Sequence, residues 1–242
     1  MRLHRFIGDF NLISDKLKIS DYELVNQIKN VLRLKKGDLI ILADGNLNEA
    51  KAKIINLGKD NMEVEIVEKY QNQNEPLNHV ILYCAVLKKE NFELVVQKAT
   101  EIGVKEIMPI ITERTVKLNL RKDRLEKIVK EASEQSGRGV MPMLHDVAGF
   151  EESLLRAKNN DLNMLFDQPG ESFNGLNRLD KVGRIGVWVG PEGGWTNQEL
   201  RSAQGSNFKI INLGKLTLRA ETTAITATYI VVHNCDCRWP HQ

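Results

Sequence analysis

The chain has 242 residues, 42% of them hydrophobic and 27% charged, with a formal net charge of +2. That length carries one large domain or two small ones, the composition is ordinary for a globular protein, and the charge excludes a polycation. Cys84, Cys235 and Cys237 are the only cysteines, an odd and sparse set that argues against a disulfide framework and for a reducing compartment. With no long apolar run and no signal-like N-terminus, a cytoplasmic protein without membrane contact is expected.

Residues 1–70 read as a β-rich unit. A strand over 38–43 meets Asp44-Gly45, a hairpin-type turn. A second strand covers 51–55, and 62–66 alternates apolar and polar as a half-buried strand does. Short strands and tight turns in so small a unit suggest a small barrel. Residues 22–34 carry Leu24, Ile28, Val31 and Leu32 at helical spacing, and Gly37 ends that stretch. Residues 71–77, opening Gln71-Asn72-Gln73-Asn74-Glu75-Pro76, read as the linker.

Strand and helix then alternate over 78–242. A strand at 80–86 precedes a helix at 91–102 with Phe92, Val95, Val96, Ala99 and Ile102 on one face and Gly103 as its left-handed cap. A strand at 106–111 and a helix at 121–136, with Leu125, Ile128, Val129 and Ala132 inward, come next. A further strand covers 163–167. This alternation implies a mainly parallel sheet with helices on both faces. Cys84 falls in an apolar strand and reads as core.

Two strand–loop–helix units follow. Ile185-Gly186-Val187-Trp188-Val189 runs into Gly190-Pro191-Glu192-Gly193-Gly194-Trp195, and Thr196 with Glu199 forms a capping box that opens a helix. Phe208-Lys209-Ile210-Ile211-Asn212 runs into Leu213-Gly214-Lys215-Leu216-Thr217-Leu218-Arg219, with a helix from Ala220. Two such loops suggest one small-molecule pocket at one edge of the sheet. Gly190, Gly193, Gly194 and Gly214 permit close approach of a ligand, and Leu213, Leu216 and Leu218 suit the faces of a flat base. Gly186 and Gly205 read as simple turns. The signatures of P-loop nucleotidases, dinucleotide folds, zinc peptidases and serine hydrolases are absent from the sequence.

From Arg114 to Lys130 there are seven basic residues against two acidic ones. Such a stripe is either a solvated helix face or a surface for a phosphate-bearing partner. Cys235-Asp236-Cys237, near His233 and His241, lacks a standard zinc spacing and reads as a frayed tail.

Gly190-Pro191-Glu192-Gly193-Gly194, the Leu213–Thr222 stretch with Leu218-Arg219-Ala220-Glu221-Thr222, and Glu131-Ala132-Ser133-Glu134-Gln135-Ser136-Gly137-Arg138 together resemble the RsmE family. Lys98-Ala99-Thr100-Glu101-Ile102-Gly103-Val104 with Pro109, Arg2-Leu3-His4-Arg5-Phe6, and Val31-Leu32-Arg33 with Gly37-Asp38 fit as well. The resemblance covers nearly the whole chain. It implies an S-adenosylmethionine-dependent methyltransferase of the SPOUT class that modifies ring nitrogen 3 of a uridine in 16S ribosomal RNA, with the assembled small ribosomal subunit as the expected substrate. It further implies a PUA-like β-barrel at 1–70, a knotted α/β methyltransferase domain at 78–242 and a homodimer. Ala220 stands where the family has threonine, and Asn26 and Gln27 stand where it often has histidine.

Carried over to this chain, the cofactor residues are Phe166, Val189, Gly190, Glu192, Gly193, Leu213, Gly214, Leu216, Leu218 and Arg219, with the Phe166-Asp167 strand end as a third wall. Arg219 and Arg138 are candidate donors to a developing oxyanion, and Glu221 is either a base or a helix-start residue. Arg2, Arg5, Arg33, Arg114, Lys117 and Arg121 are expected to hold RNA phosphates. No metal is expected. A ribose 2′-O-methyltransferase and a non-catalytic RNA-binding protein are the competing readings.

Overall fold

The computed structural model describes residues 3–116, 120–173, 179 and 182–234. Arg2, Lys117 and the Cys235–Gln242 tail lie outside them. Two units emerge, Met1–Glu75 with Ser133–Met141, and Pro76–Ala132 with Pro142–Gln242.

The first unit is built on β1 (His4–Ile7), β2 (Lys16–Ile19), β3 (Leu39–Ala43), β4 (Asn48–Leu57) and β5 (Met62–Gln71). They pair in the order β1-β3-β4-β5-β2. The β1–β3 pair is parallel and the others are antiparallel. Register shifts at Lys51/Ala52 and Ile54/Asn56 mark bulges, which bend long strands. Every strand turns apolar side chains to one core: Phe6, Ile19, Leu42, Ile54 and Val64 meet there. Helix α1 (Tyr22–Asn26) adds Leu24 and Val25, and Asp21 caps it by accepting from the Leu24 N–H at 3.1 Å. Beyond it the chain widens into a π turn over Gln27–Val31. That turn changes the period, so Ile28 stays inside while Val31, expected on the buried face, is 68% exposed.

The polar stretch after β5 is hydrogen-bonded within this unit. Asn72 donates to the Glu49 carboxylate at 2.6 Å and to the Gly137 carbonyl at 3.0 Å. Glu75 receives the Arg138 guanidinium at 2.8 and 2.9 Å and the N–H groups of Gly139 and Val140.

The second unit holds β6 (His79–Ala85), α2 (Lys89–Ile102), β7 (Glu106–Ile111), α3 (Lys122–Ser136), β8 (Met143–Leu144), β9 (Ala148–Gly149) and α4 (Phe150–Arg156). They are followed by β10 (Leu162–Ser172), β11 (Arg184–Val189), α5 (Asn197–Gly205), β12 (Lys209–Asn212) and α6 (Ala220–Asn234). Its sheet runs β12-β10-β11-β6-β7-β8, with β9 also on β7. Every pair is parallel. Strands covered on both faces read as unbroken apolar runs, and β6 divides accordingly. Val80, Leu82 and Cys84 face a core with Phe92 and Val96 of α2, Leu125 of α3 and Ala227 of α6. Ile81, Tyr83 and Ala85 face a second core with Phe150 and Leu154 of α4 and Ala203 of α5. The expected parallel sheet with helices on both faces is therefore present.

Gly186 is not a turn residue. It lies inside β11, and a Cβ there would collide with the Asn163 carboxamide oxygen. That oxygen is fixed by the Trp188 indole N–H at 3.1 Å and by the Asn160 amide at 2.8 Å. The strand needs glycine because a neighbouring polar side chain fills the space of its side chain.

Candidate functional site

The pocket lies where parallel-sheet geometry places ligands, outside the carboxyl ends of the strands. It is a cavity of ≈ 520 Å³ walled by the segments that follow β6, β11 and β12, by Phe166, Asp167 and Gln168 of β10, and by the first turn of α6. Sites of small organic ligands span about 300–1,000 Å³.

Two hydrogen bonds tie its walls together. The buried Trp195 indole N–H donates to the Phe166 carbonyl at 3.1 Å, which folds the end of the glycine loop back onto β10. The Gln168 side-chain amide donates to the Leu216 carbonyl at 2.9 Å, which ties β10 to the leucine loop. Below the glycine loop, Thr196 and Glu199 form the expected capping box. The buried Glu199 carboxylate also accepts from the Glu113 N–H at 3.0 Å, so the start of α5 is anchored to the segment after β7. Gly194 has φ +69°, a conformation that strains other residues, and its pocket side is open.

Of the residues expected around a cofactor, Phe166, Val189, Gly190, Glu192, Leu213, Leu216, Leu218 and Arg219 line this cavity. Gly193 and Gly214 are not among the lining residues. The Gly193 carbonyl instead accepts from Arg114 at 2.7 Å, and the Gly214 N–H donates to the Asn212 side chain at 3.1 Å in a local turn. Arg219 and Glu221 both line the cavity. The Arg219 carbonyl accepts from the Thr223 N–H at 2.8 Å and so opens α6, while Glu221 sits in the first turn, where the helix dipole favours a carboxylate.

Arg138 is not brought to this cavity. Its guanidinium, 4% exposed, is paired with Glu75 in the first unit. Arg5 is similarly engaged with the buried Glu49 rather than presented to solvent. Arg114 holds the carbonyls of Gly193 and Trp195. Arg121 is exposed and paired with Asp123 at 2.7 Å. Three more residues of the basic stripe are matched: Lys122 by Asp146, Arg124 by Glu93 and Lys127 by Glu131. Arg33 differs. It is exposed, with Lys29, Lys35 and Lys36 around one shallow groove of the first unit.

Several lining residues escaped the sequence reading: Lys88 and Asn91 after β6, Gln168 within β10, and Trp195. The rule that ligands collect at strand ends would have found the first pair. Asp167, expected only as wall, is half-buried, and burial holds its carboxyl above the usual range against the Gln168 N–H and the charge of Arg114. Among the described residues no three His, Cys, Asp or Glu side chains converge as a metal site.

An RNA methyltransferase domain model matches residues 73–232, and an RNA methyltransferase PUA domain model matches residues 19–67. The chain is 34% identical over 218 residues to ribosomal RNA small subunit methyltransferase E of Rickettsia conorii, covering 88% of each protein. The crystal structure of a protein of that name from Neisseria gonorrhoeae, bound to S-adenosyl methionine, superimposes with a TM-score of 0.83. It is 31% identical, with 94% of this chain and 95% of that one covered. A methyltransferase of Legionella pneumophila in complex with SAM gives a TM-score of 0.86 at 27% identity, covering 96% and 97%.

Proposed function

This chain belongs to the RNA methyltransferase family that includes ribosomal RNA small subunit methyltransferase E, and from that membership we propose that it methylates ring nitrogen 3 of a uridine in 16S ribosomal RNA, using S-adenosylmethionine. The observation that carries the reading is the strand-end cavity with apolar and charged walls side by side. Leu213, Leu216, Leu218 and Ile211 offer surface to a flat base, while Asp167, Glu192 and Glu221 offer negative charge to a cationic ligand. S-adenosylmethionine supplies a methyl group on a positively charged sulfur.

The chain's own residues have two tasks. The first is positioning, since an in-line displacement gains most from holding its reactants in place; Trp195 and Gln168 stiffen the walls for that. The second is the uridine N3 proton, which must leave before or during attack. Arg219, exposed at the mouth, is assigned to stabilise charge on the ring carbonyls, and Glu221 to accept the proton.

RNA contact is assigned to the N-terminal unit, with residues 1–70 as the RNA-holding domain, 71–77 as linker and 78–242 as the transfer domain. Arg33 among Lys29, Lys35 and Lys36 supports this. The assembled small subunit as substrate, a homodimer through the α/β domain and a cytoplasmic location complete the reading. Among the described residues no helix is long and apolar enough to cross a membrane.

The test is methyl transfer from labelled S-adenosylmethionine to free 16S RNA and to small subunits, followed by nucleoside mass spectrometry. 3-Methyluridine is expected. 2′-O-methyluridine would assign the chain to ribose methylation, and no incorporation with intact RNA binding would make it a binder only.

A further inference from the structure

We propose that Asp167 is the counter-charge for the sulfonium of S-adenosylmethionine, so that the pocket distinguishes the charged cofactor from its uncharged thioether product. The proposal rests on the reading of the cavity as the cofactor site. Its basis is where Asp167 stands. β10 lies between β12 and β11 in the sheet, and Asp167 follows Phe166, which is paired with Val189 at the end of β11 and with Ile211 of β12, so it stands between the leucine loop on one side and the glycine loop on the other. Glu192 belongs to the glycine loop and Glu221 to α6 beside the leucine loop. Asp167 is the carboxylate between them. The sulfur of the cofactor likewise lies between its adenosine and its amino-acid end.

Asp167 also lacks a cation of its own. Arg114 acts on it through space, but that guanidinium is hydrogen-bonded to the carbonyls of Gly193 and Trp195. Among the described residues no ion pair to Asp167 is formed. A half-buried carboxylate held by one backbone N–H and no ion pair is unfavourable, and burial accordingly disfavours its charged form. A ligand that brings a positive charge removes that penalty. Loss of the methyl group leaves a neutral sulfur and restores it, so the pocket releases product more readily than cofactor. The ammonium at the other end is present in both molecules and gives no such difference.

Titration calorimetry on the full chain tests this, using S-adenosylmethionine and S-adenosylhomocysteine. Asp167→Asn, nearly isosteric, is expected to weaken S-adenosylmethionine at least tenfold and to leave S-adenosylhomocysteine within about twofold. In the unmodified chain, acidification should weaken the cofactor more than the product, a difference that Asp167→Asn abolishes. Glu192, Glu221, Lys88 and Arg219 line the same cavity and Arg114 acts on Asp167 from outside it, and their effects persist in that variant. Equal losses for both ligands, or no loss, overturn the proposal while the cavity reading stands. An unmodified chain that binds neither ligand overturns both.

Discussion

Arg114 donates to the Gly193 carbonyl at 2.7 Å across 79 residues of sequence, and to the Trp195 carbonyl at 3.3 Å. A residue expected to grip RNA thus braces the glycine loop from outside. Arg114→Ala should weaken S-adenosylmethionine roughly tenfold, about 1.4 kcal/mol, since hydrogen bonds from a charged group contribute somewhat more than that when shielded and Arg114 is exposed. Gly193→Val should act through the same brace, because its Cβ would meet the Arg114 side chain at 3.3 Å. Calorimetry giving unchanged affinity for both variants would separate the brace from the pocket.

Trp195→Phe keeps an aromatic ring, smaller than the indole, and removes the N–H that the Phe166 carbonyl accepts. An unsatisfied buried acceptor costs about 1–3 kcal/mol. Urea denaturation should show a loss of that size, and cofactor affinity should fall with it. A stability loss with unchanged affinity would show that the tie serves the fold alone.

Glu106 sits at the opposite, amino end of the strands. His79 and His145 reach its two oxygens at 2.5 and 2.7 Å, and Arg184 reaches it at 2.7 Å. Burial alone would push its carboxyl up, but these partners outweigh burial and hold it below the usual range. A depressed folded value means stability present above the unfolded value and lost as pH falls through the folded one. Glu106→Gln should therefore lower stability at neutral pH by about 1–3 kcal/mol, with the gap to the unmodified chain closing in acid. A gap constant down to strongly acidic pH would contradict the assignment.

The two basic regions should differ in their response to salt. Arg121 and Lys122 are matched by Asp123 and Asp146, whereas Arg33 and Lys36 stand exposed on the first unit. Replacing Arg33 and Lys36 by Ala should reduce the slope of log affinity against log salt by about 1.4 for single-stranded RNA, about 0.7 per phosphate contact. The Arg121/Lys122 double variant should change it by less than half of that. The reverse order, in filter binding across a salt series, would return RNA contact to the stripe.

What the sequence disclosed was local. The capping box at Thr196 and Glu199, the cap at Gly103, and the apolar faces of α2 and α3 depend on neighbours a few residues away, and periodicity reports them directly. The loops after β11 and β12 were legible because glycines and leucines stand beside strand endings. The fates of the arginines were not. Arg5 meets Glu49 44 residues on, and Arg138 meets Glu75 63 residues back. No spacing rule links such partners, so a buried ion pair and a functional cation look alike in sequence. The inward Trp195 and the space around Asp167 became visible only when β10 was placed between β11 and β12.

The leucine wall of the pocket begins at Leu213, after the twelve strands of the described residues have passed in the chain. It leads directly into α6, which returns over β6 and β11 to pack on α2. A chain growing from its amino end thus possesses its whole sheet before it can grip a ligand. Cofactor affinity becomes a readout of completion: a product cut at Asn212 would keep every described strand but lack the leucine wall, and is expected to be invisible to any partner that selects the loaded enzyme.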